Sequence, residues 1–390
     1  MLKVKLMNKI AKVGTDVLSP LKYEIGEGLE QEDAVMVRSA ALHEMEFSKN
    51  LRAIARCGAG VNNIPVEKCT KEGIVVFNTP GANANAVKEL AVAALVLASR
   101  DIIGGVKWVQ TLAGQENVAK AVEAGKSAFV GHELAGKTLG VIGLGAIGGM
   151  VANVAISLGM NVMGYDPYIT AKAAWSLAPS VRQASDYNEI FKNCDYISLH
   201  VPATPQTKNM ICEKSIAQMK DGVRILNLAR ADLVCAAEVK KALQDKKISA
   251  YITDFPTDET VGVEGIIAIP HLGASTVESE DHCAIMAAQQ LDEFLTCGNI
   301  RNSVNFPTVG IPMSEKPRVC IMNENIPNML TQITSAFSAE NINIENMANG
   351  SKGEVAYTIV ETNVQASEEI IAKLSNIQGV FGVRCFDGVK

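Results

Sequence analysis

The chain has 390 residues, 48% of them hydrophobic and 20% charged, with a formal net charge of −6. That length exceeds one ordinary domain and leaves room for two or three separate cores. The acidic balance, with no block of Lys and Arg, excludes a nucleic-acid or anionic-membrane surface as the organising feature, and the composition is that of a soluble globular protein.

Residues 1–10 alternate basic and apolar side chains and lack the apolar run of a secretory signal. The longest apolar stretch, 90–98, is too short to span a bilayer. Nine cysteines are scattered without a CxxC pair, an odd and dispersed count that points to reduced thiols in a cytoplasmic protein. Cys57, Cys69, Cys194, Cys212 and Cys235 read as small core residues, and no His or Cys spacing suggests a metal.

Short apolar runs at 35–37, 51–55 and 74–77 read as buried strands separated by helical patterns, the rhythm of a parallel sheet covered on both faces. Gly58, Gly60 and Gly81 follow strand ends, where an open α/β sheet presents its ligand loops. A long helix pattern from about 86 past Arg100 is apolar nearly all round, through Ala91, Ala93, Ala94, Leu95 and Leu97, and is expected to be buried. A second α/β unit opens at Lys137, with strands at 138–142, 161–165, 196–199, 224–227 and 248–253. A helix returns at 278–298. A Pro-marked stretch, 306–316, reads as a linker, and residues 317–390 read as βαββαβ with strands at 318–322, 343–348, 355–361 and 380–386.

The strand at 138–142 runs into Gly143-Leu-Gly145-Ala146-Ile147-Gly148, and a helical pattern follows at 150–158. Gly143 permits a tight turn, Gly145 lets backbone approach a pyrophosphate, and Gly148 allows close helix–strand packing. The helix N-terminus offers free N–H groups to the phosphates. Asp166 ends the second strand roughly 20 residues on, where an acid accepts the ribose hydroxyls and repels a 2′-phosphate, favouring NAD over NADP. Arg230, Asp258 and His271 each follow a later strand. Such strand ends converge on one crevice, where His takes a hydroxyl proton, a carboxylate orients it, and an Arg fork holds a substrate carboxylate.

Gly143–Gly148, Asn227-Leu-Ala-Arg230 and Pro270-His271-Leu-Gly-Ala-Ser-Thr276 together resemble the D-2-hydroxyacid dehydrogenase family. The resemblance implies two Rossmann-like doubly wound lobes: a discontinuous, flavodoxin-like substrate lobe from 1–84 and 278–305, and an NAD-binding domain at 85–277. It implies that Ala146, Ile147, His200, Ala229 and Asp254 join the glycines and Asp166 around the cofactor, with no proton transfer by His200. It implies that Arg38, Ala59, Gly60 and Asn83 meet the substrate. The pattern is most similar to the branch that oxidises 3-phospho-D-glycerate to 3-phosphohydroxypyruvate, the first step of serine biosynthesis. Residues 317–390 resemble an ACT domain, with Asn325 and Asn343 on effector-contacting positions, which implies an L-serine effector and a homodimer or homotetramer. Several residues depart from the family pattern. Ala231 replaces a Gly, Asp258 replaces a Glu and has Glu259 beside it as an alternative, Ala40 replaces a second phosphate-binding Arg, and Asn323 and Asn328 alter the effector loop. A glycerate or hydroxypyruvate reductase and a non-catalytic NAD sensor remain alternatives.

Overall fold

The computed structural model describes residues 1–388. It divides into two units, one made of residues Met1–Asn83 with the chain from Val277 onward, the other of Ala84–Thr276.

The first unit begins with five parallel strands, β1 (Leu2–Leu6), β2 (Tyr23–Gly26), β3 (Ala34–Val37), β4 (Ala53–Arg56) and β5 (Val75–Phe77), in the order β2-β1-β3-β4-β5. β3 and β5 are buried along their whole length, which is why they read as unbroken apolar runs. β1 escaped sequence reading because its Lys3 and Lys5 interrupt the apolar pattern; both are only half-buried while Val4 between them is fully enclosed. The helix Val277–Cys297 packs on this sheet through Ala284, Ala287, Leu291 and Phe294. Gly14 lies so close to it that a Cβ there would stand 2.4 Å from that of Ala284.

In the second unit, β6 (Thr138–Ile142), β7 (Asn161–Tyr165), β8 (Arg182–Gln183), β9 (Tyr196–Leu199), β10 (Val223–Asn227), β11 (Ile248–Thr253) and β12 (Ile266–Ala268) form a parallel sheet ordered β12-β11-β10-β9-β6-β7-β8. The order reverses between β6 and β9, the switch point where such sheets open a crevice at their carboxyl ends. The helix Ala84–Ser99 packs on it through Ala91, Ala94 and Leu95, but it is not buried all round as expected: Ala93 is exposed and Leu97 half-buried. Two further helices, Ile102–Gln110 and Val118–Gly125, precede β6.

The C-terminal part of the first unit has the expected βαββαβ order. β13 (Arg318–Glu324), β14 (Ile344–Lys352), β15 (Val355–Thr362) and β16 (Val380–Phe386) form an antiparallel sheet ordered β14-β15-β13-β16, with helices Met329–Ala339 and Glu368–Ser375. The helices cover one face through Ile333, Phe337, Ile370 and Leu374. The other face, carrying Cys320, Met322, Tyr357 and Phe386, shares a core with Phe294 and Phe306. The fold class read from sequence is therefore present: two doubly wound parallel sheets and an α+β sheet of ACT-like pattern. Residues 306–316 carry no helix or strand but are not a free tether. Phe306, Val309 and Ile311 are buried, and the buried Arg318 guanidinium bonds Glu361 at 2.8 Å and the carbonyls of Cys297 and Ile311. Satisfying its donors this fully is what makes a buried guanidinium tolerable. Among the described residues no helix is long and apolar enough to cross a membrane. Cys57, Cys69 and Cys194 are buried as expected, whereas Cys212 and Cys235 are only partly so.

Candidate active site

Close approach fixes the glycine turn after β6. Gly143 has φ +90°, and a Cβ there would sit 2.5 Å from the His200 carbonyl oxygen; one on Gly148 would sit 1.9 Å from the Gly143 carbonyl oxygen. A Cβ on Gly145 would meet nothing within 4 Å, so the turn is open on that side, and the helix Ala146–Ser157 starts there with Ala146 and Ile147 in its first turn. Its unpaired first-turn N–H groups and dipole suit a pyrophosphate. At the tip of β7 the Asp166 carboxylate accepts the Leu144 N–H and the Tyr168 N–H, both at 2.9 Å, which pins it beside the turn. His200 stands behind the turn, its Nε2 2.8 Å from Ser198 Oγ, and burial pushes its imidazole down to about 4. It is thus neutral near pH 7, in keeping with a wall residue.

The turn after β10 wraps around the buried Asn227. Its Oδ1 accepts the Ala229 and Arg230 N–H groups, and its Nδ2 donates to the Arg230 carbonyl at 2.8 Å and to Tyr251 Oη. This leaves the Arg230 side chain exposed beyond the strand end. His271 follows β12 in a left-handed conformation, φ +53°. Asp254, 1% exposed, holds that loop: its Oδ1 accepts the Leu272 N–H and its Oδ2 the Gly273 N–H, each at 2.7 Å. Burial pushes the Asp254 carboxyl up, while these two bonds and His271 draw it down. A Cβ on Gly273 would stand 2.9 Å from Asp254 Oδ2, so the loop packs tightly on that carboxylate.

Phe255, given no role in sequence, lies beside both Arg230 and His271. The His271 ring tilts over it at 4.7 Å between centroids, and the Arg230 guanidinium lies 5.8 Å from the same ring, within cation–π range. The expected pairing of His271 with Asp258 is not formed. Asp258 and Glu259 are exposed on the crest of a turn closed by Thr257 and Thr260, and no hydrogen bond or ion pair joins either acid to His271 among the described residues. The closed turn lifts the acids into solvent, while the imidazole is drawn onto Phe255.

In the first unit, Asn8 Oδ1 accepts the N–H groups of Arg38, Ser39 and Ala40, curling the chain after β3. The Arg38 guanidinium pairs with Glu280 at 2.6 Å. Arg56, unread in sequence, donates from Nε to the Arg38 carbonyl at 3.1 Å, and its guanidinium lies where a Cβ on Gly58 would be. A second Arg at the next strand end was the available signal. The loop carrying Ala59 and Gly60 is held by Asn78, whose Nδ2 donates to the Ala59 carbonyl at 2.7 Å, and by the Thr79 N–H on the Gly58 carbonyl. Asn83 is half-buried where this unit's N-terminal segment ends. In the C-terminal sheet, Asn325 bonds the Gly353 carbonyl and Asn343 bonds Glu345. They sit at opposite ends of β15, beside Val355 and Thr362, about 23 Å apart along a strand, so one small ligand cannot touch both within a protomer.

A glycine turn at the switch point of a parallel sheet, with an acid pinned beside it and His and Arg at later strand ends, defines a dinucleotide-dependent dehydrogenase. The family model for "D-isomer specific 2-hydroxyacid dehydrogenase, NAD binding domain" matches residues 93–273. D-3-phosphoglycerate dehydrogenase of Methanocaldococcus jannaschii is 36% identical over 316 residues, which cover 78% of this chain. The chain spans only 58% of the length of that relative. Hydroxypyruvate reductase of Thermotoga maritima is 37% identical over 282 residues, covering 69% of this chain and 87% of the relative. The crystal structure of NAD+-bound 3-phosphoglycerate dehydrogenase in Entamoeba histolytica superposes with a TM-score of 0.61 at 27% identity, covering 78% of this chain and 98% of that one. The chain belongs to the D-isomer specific 2-hydroxyacid dehydrogenase family, and its second unit carries the family's NAD-binding domain.

Proposed function

We propose that this protein oxidises 3-phospho-D-glycerate to 3-phosphohydroxypyruvate with NAD, and runs the reverse reduction with NADH. The Gly143–Gly148 turn would hold the NAD pyrophosphate and Asp166 its ribose hydroxyls, and NAD would there supply the hydride acceptor. His271 takes the substrate hydroxyl proton as the carbonyl forms. Arg230 holds the substrate carboxylate by its fork, with Phe255 packed against the His271 ring and within cation–π range of Arg230. Asp258 or Glu259 would orient the imidazole only after the Thr257–Thr260 turn moves. In the first unit, Arg38 and Arg56 supply cations for the phosphate, and the Ala59–Gly60 backbone supplies N–H donors.

The observation that carries this reading is Phe255, which brings Arg230 and His271 to one ring on the unit that bears the dinucleotide turn. The likeness to D-3-phosphoglycerate dehydrogenase favours the phosphorylated substrate. The Arg38–Glu280 pair and Ala40 favour the other reading, a reductase of unphosphorylated hydroxypyruvate, as does the Thermotoga relative. The two separate on kcat/KM for phosphohydroxypyruvate against hydroxypyruvate, followed at the NADH absorbance band. A preference above about tenfold for the phosphorylated acid, about 1.4 kcal/mol, supports the first reading. The opposite preference supports the second, and absence of turnover on every 2-keto acid would make the protein a non-catalytic NAD sensor. We further propose a cytoplasmic homodimer or homotetramer, measurable by light scattering; a monomer at micromolar concentration would refute that assembly.

A further inference from the structure

In the Ala84–Thr276 unit, the largely apolar strand β10 closes on an amide. Asn227 is fully buried and faces Thr253 across the β10–β11 register. An amide enclosed there costs free energy unless it is hydrogen-bonded. Asn227 fills its capacity of two accepted and two donated bonds. Its Oδ1 accepts the Ala229 N–H at 3.2 Å and the Arg230 N–H at 3.3 Å, and its Nδ2 donates to the Arg230 carbonyl at 2.8 Å and to Tyr251 Oη at 3.2 Å. Three of these bonds close on the Arg230 turn, and the fourth runs to the neighbouring strand.

Arg230 takes its place from that turn. Its backbone is extended, with φ −155° and ψ 145°, and its Nη1 donates to the Ala229 carbonyl at 2.6 Å. The guanidinium is therefore aimed by the same peptide that Asn227 holds. The fourth bond leads toward Phe255. Tyr251 is buried on β11, its hydroxyl against the Asn227 amide and beside the Thr253 hydroxyl. Thr253, also buried, accepts the Phe255 N–H on Oγ1 at 3.1 Å, and the Asp254 N–H donates to the Asn227 carbonyl. Asn227, Tyr251 and Thr253 form a buried polar chain beneath the site. It runs from the Arg230 turn to the backbone of Phe255, whose ring both Arg230 and His271 approach. A satisfied buried network of this kind rigidifies what it ties together.

We propose that Asn227, backed by the Tyr251 hydroxyl, is the positioning residue that sets Arg230 for the substrate carboxylate. Being fully buried, it acts through the Arg230 turn and not on the substrate. The inference rests on the reading of Arg230 as the carboxylate clamp. An aspartate in its place would accept but not donate, and a leucine would do neither, so no side chain of that size reproduces the set.

The test is steady-state kinetics of the full chain, using whichever of hydroxypyruvate and phosphohydroxypyruvate the parent protein turns over faster, so that the result does not depend on the phosphate. Asn227→Ala should raise KM for the 2-keto acid about tenfold, and Tyr251→Phe, which removes one hydroxyl and keeps the ring packed, about threefold, the scale of one neutral hydrogen bond. NADH affinity, followed by its fluorescence, should stay within twofold in both. In an Arg230→Lys background, where a flexible ammonium replaces the fork, neither change should raise KM further. A merely structural role would add the same effect in either background. The inference is overturned if either variant leaves KM within twofold of the parent, if NADH affinity falls in step with KM, or if the effects persist undiminished beside Arg230→Lys. Should Asn227→Ala fail to fold, Tyr251→Phe decides alone. Arg230→Lys with the parental KM would instead remove the carboxylate clamp, and this inference with it.

Discussion

Replacing Asp254 tests whether the His271 loop is held in place from below. Its carboxylate accepts two backbone N–H groups at 2.7 Å, and the loop they belong to forces His271 to φ +53°. A left-handed conformation costs a non-glycine residue about 1–2 kcal/mol, so it persists only while something else fixes it. Hydrogen bonds to a charged acceptor contribute about 1.5–3 kcal/mol each. Asp254→Ala removes both but also relieves the burial of a carboxylate, leaving a net loss of roughly 2–4 kcal/mol in holding the loop. About 2.7 kcal/mol is a hundredfold in rate. Turnover followed by NADH absorbance should therefore fall about a hundredfold in Asp254→Ala and about tenfold in Asp254→Asn, which keeps one acceptor. Affinity for NADH, followed by its fluorescence, should stay within a few-fold, because both carboxylate oxygens are already committed to the loop. An Asp254→Ala protein with turnover within threefold of the parent would refute the reasoning. Normal turnover capacity at saturating NADH with a greatly weakened NADH affinity would instead mark Asp254 as a cofactor contact.

Two other consequences follow from the NAD-binding domain. Gly148→Ala places a Cβ 1.9 Å from a backbone oxygen of the turn; NADH affinity should drop at least about a hundredfold and stability by about 1–3 kcal/mol, whereas unchanged titration would remove the turn from the cofactor site. His200, pushed down from 6.5 to about 4, stays neutral in the folded protein where the unfolded chain takes up a proton. Stability present above pH 6.5 is thus lost as pH falls toward 4, by about 3 kcal/mol at most. Urea unfolding of His200→Asn should show a correspondingly flatter pH profile, and parallel profiles for the two proteins would contradict the assignment.

Much of this architecture was legible because close contacts dictate residue type. Gly143 and Gly148 have no room for a Cβ, so the turn shows in the sequence wherever it occurs. β3 and β5 are buried on both faces, so their apolar runs could not be mistaken. β1 was hidden by two half-buried lysines that interrupt its apolar pattern. The helix Ala84–Ser99 looked apolar all round because alanine is tolerated on exposed and buried faces alike. The site was half legible. Arg230 and His271 sit at strand ends as expected, but the partner of His271 depends on how the Thr257–Thr260 turn closes, which no spacing encodes. Asp254 holds a loop far along the chain, and Phe255 acts through ring contacts; both roles arise only once β11 and β12 lie side by side.

The most direct measurement is steady-state turnover of His271→Ala beside its NADH titration. With His271 as the acid/base, turnover falls by about 10²–10⁴-fold while NADH binds as tightly as before. Turnover close to that of the parent protein would contradict the account, whatever the substrate proves to be.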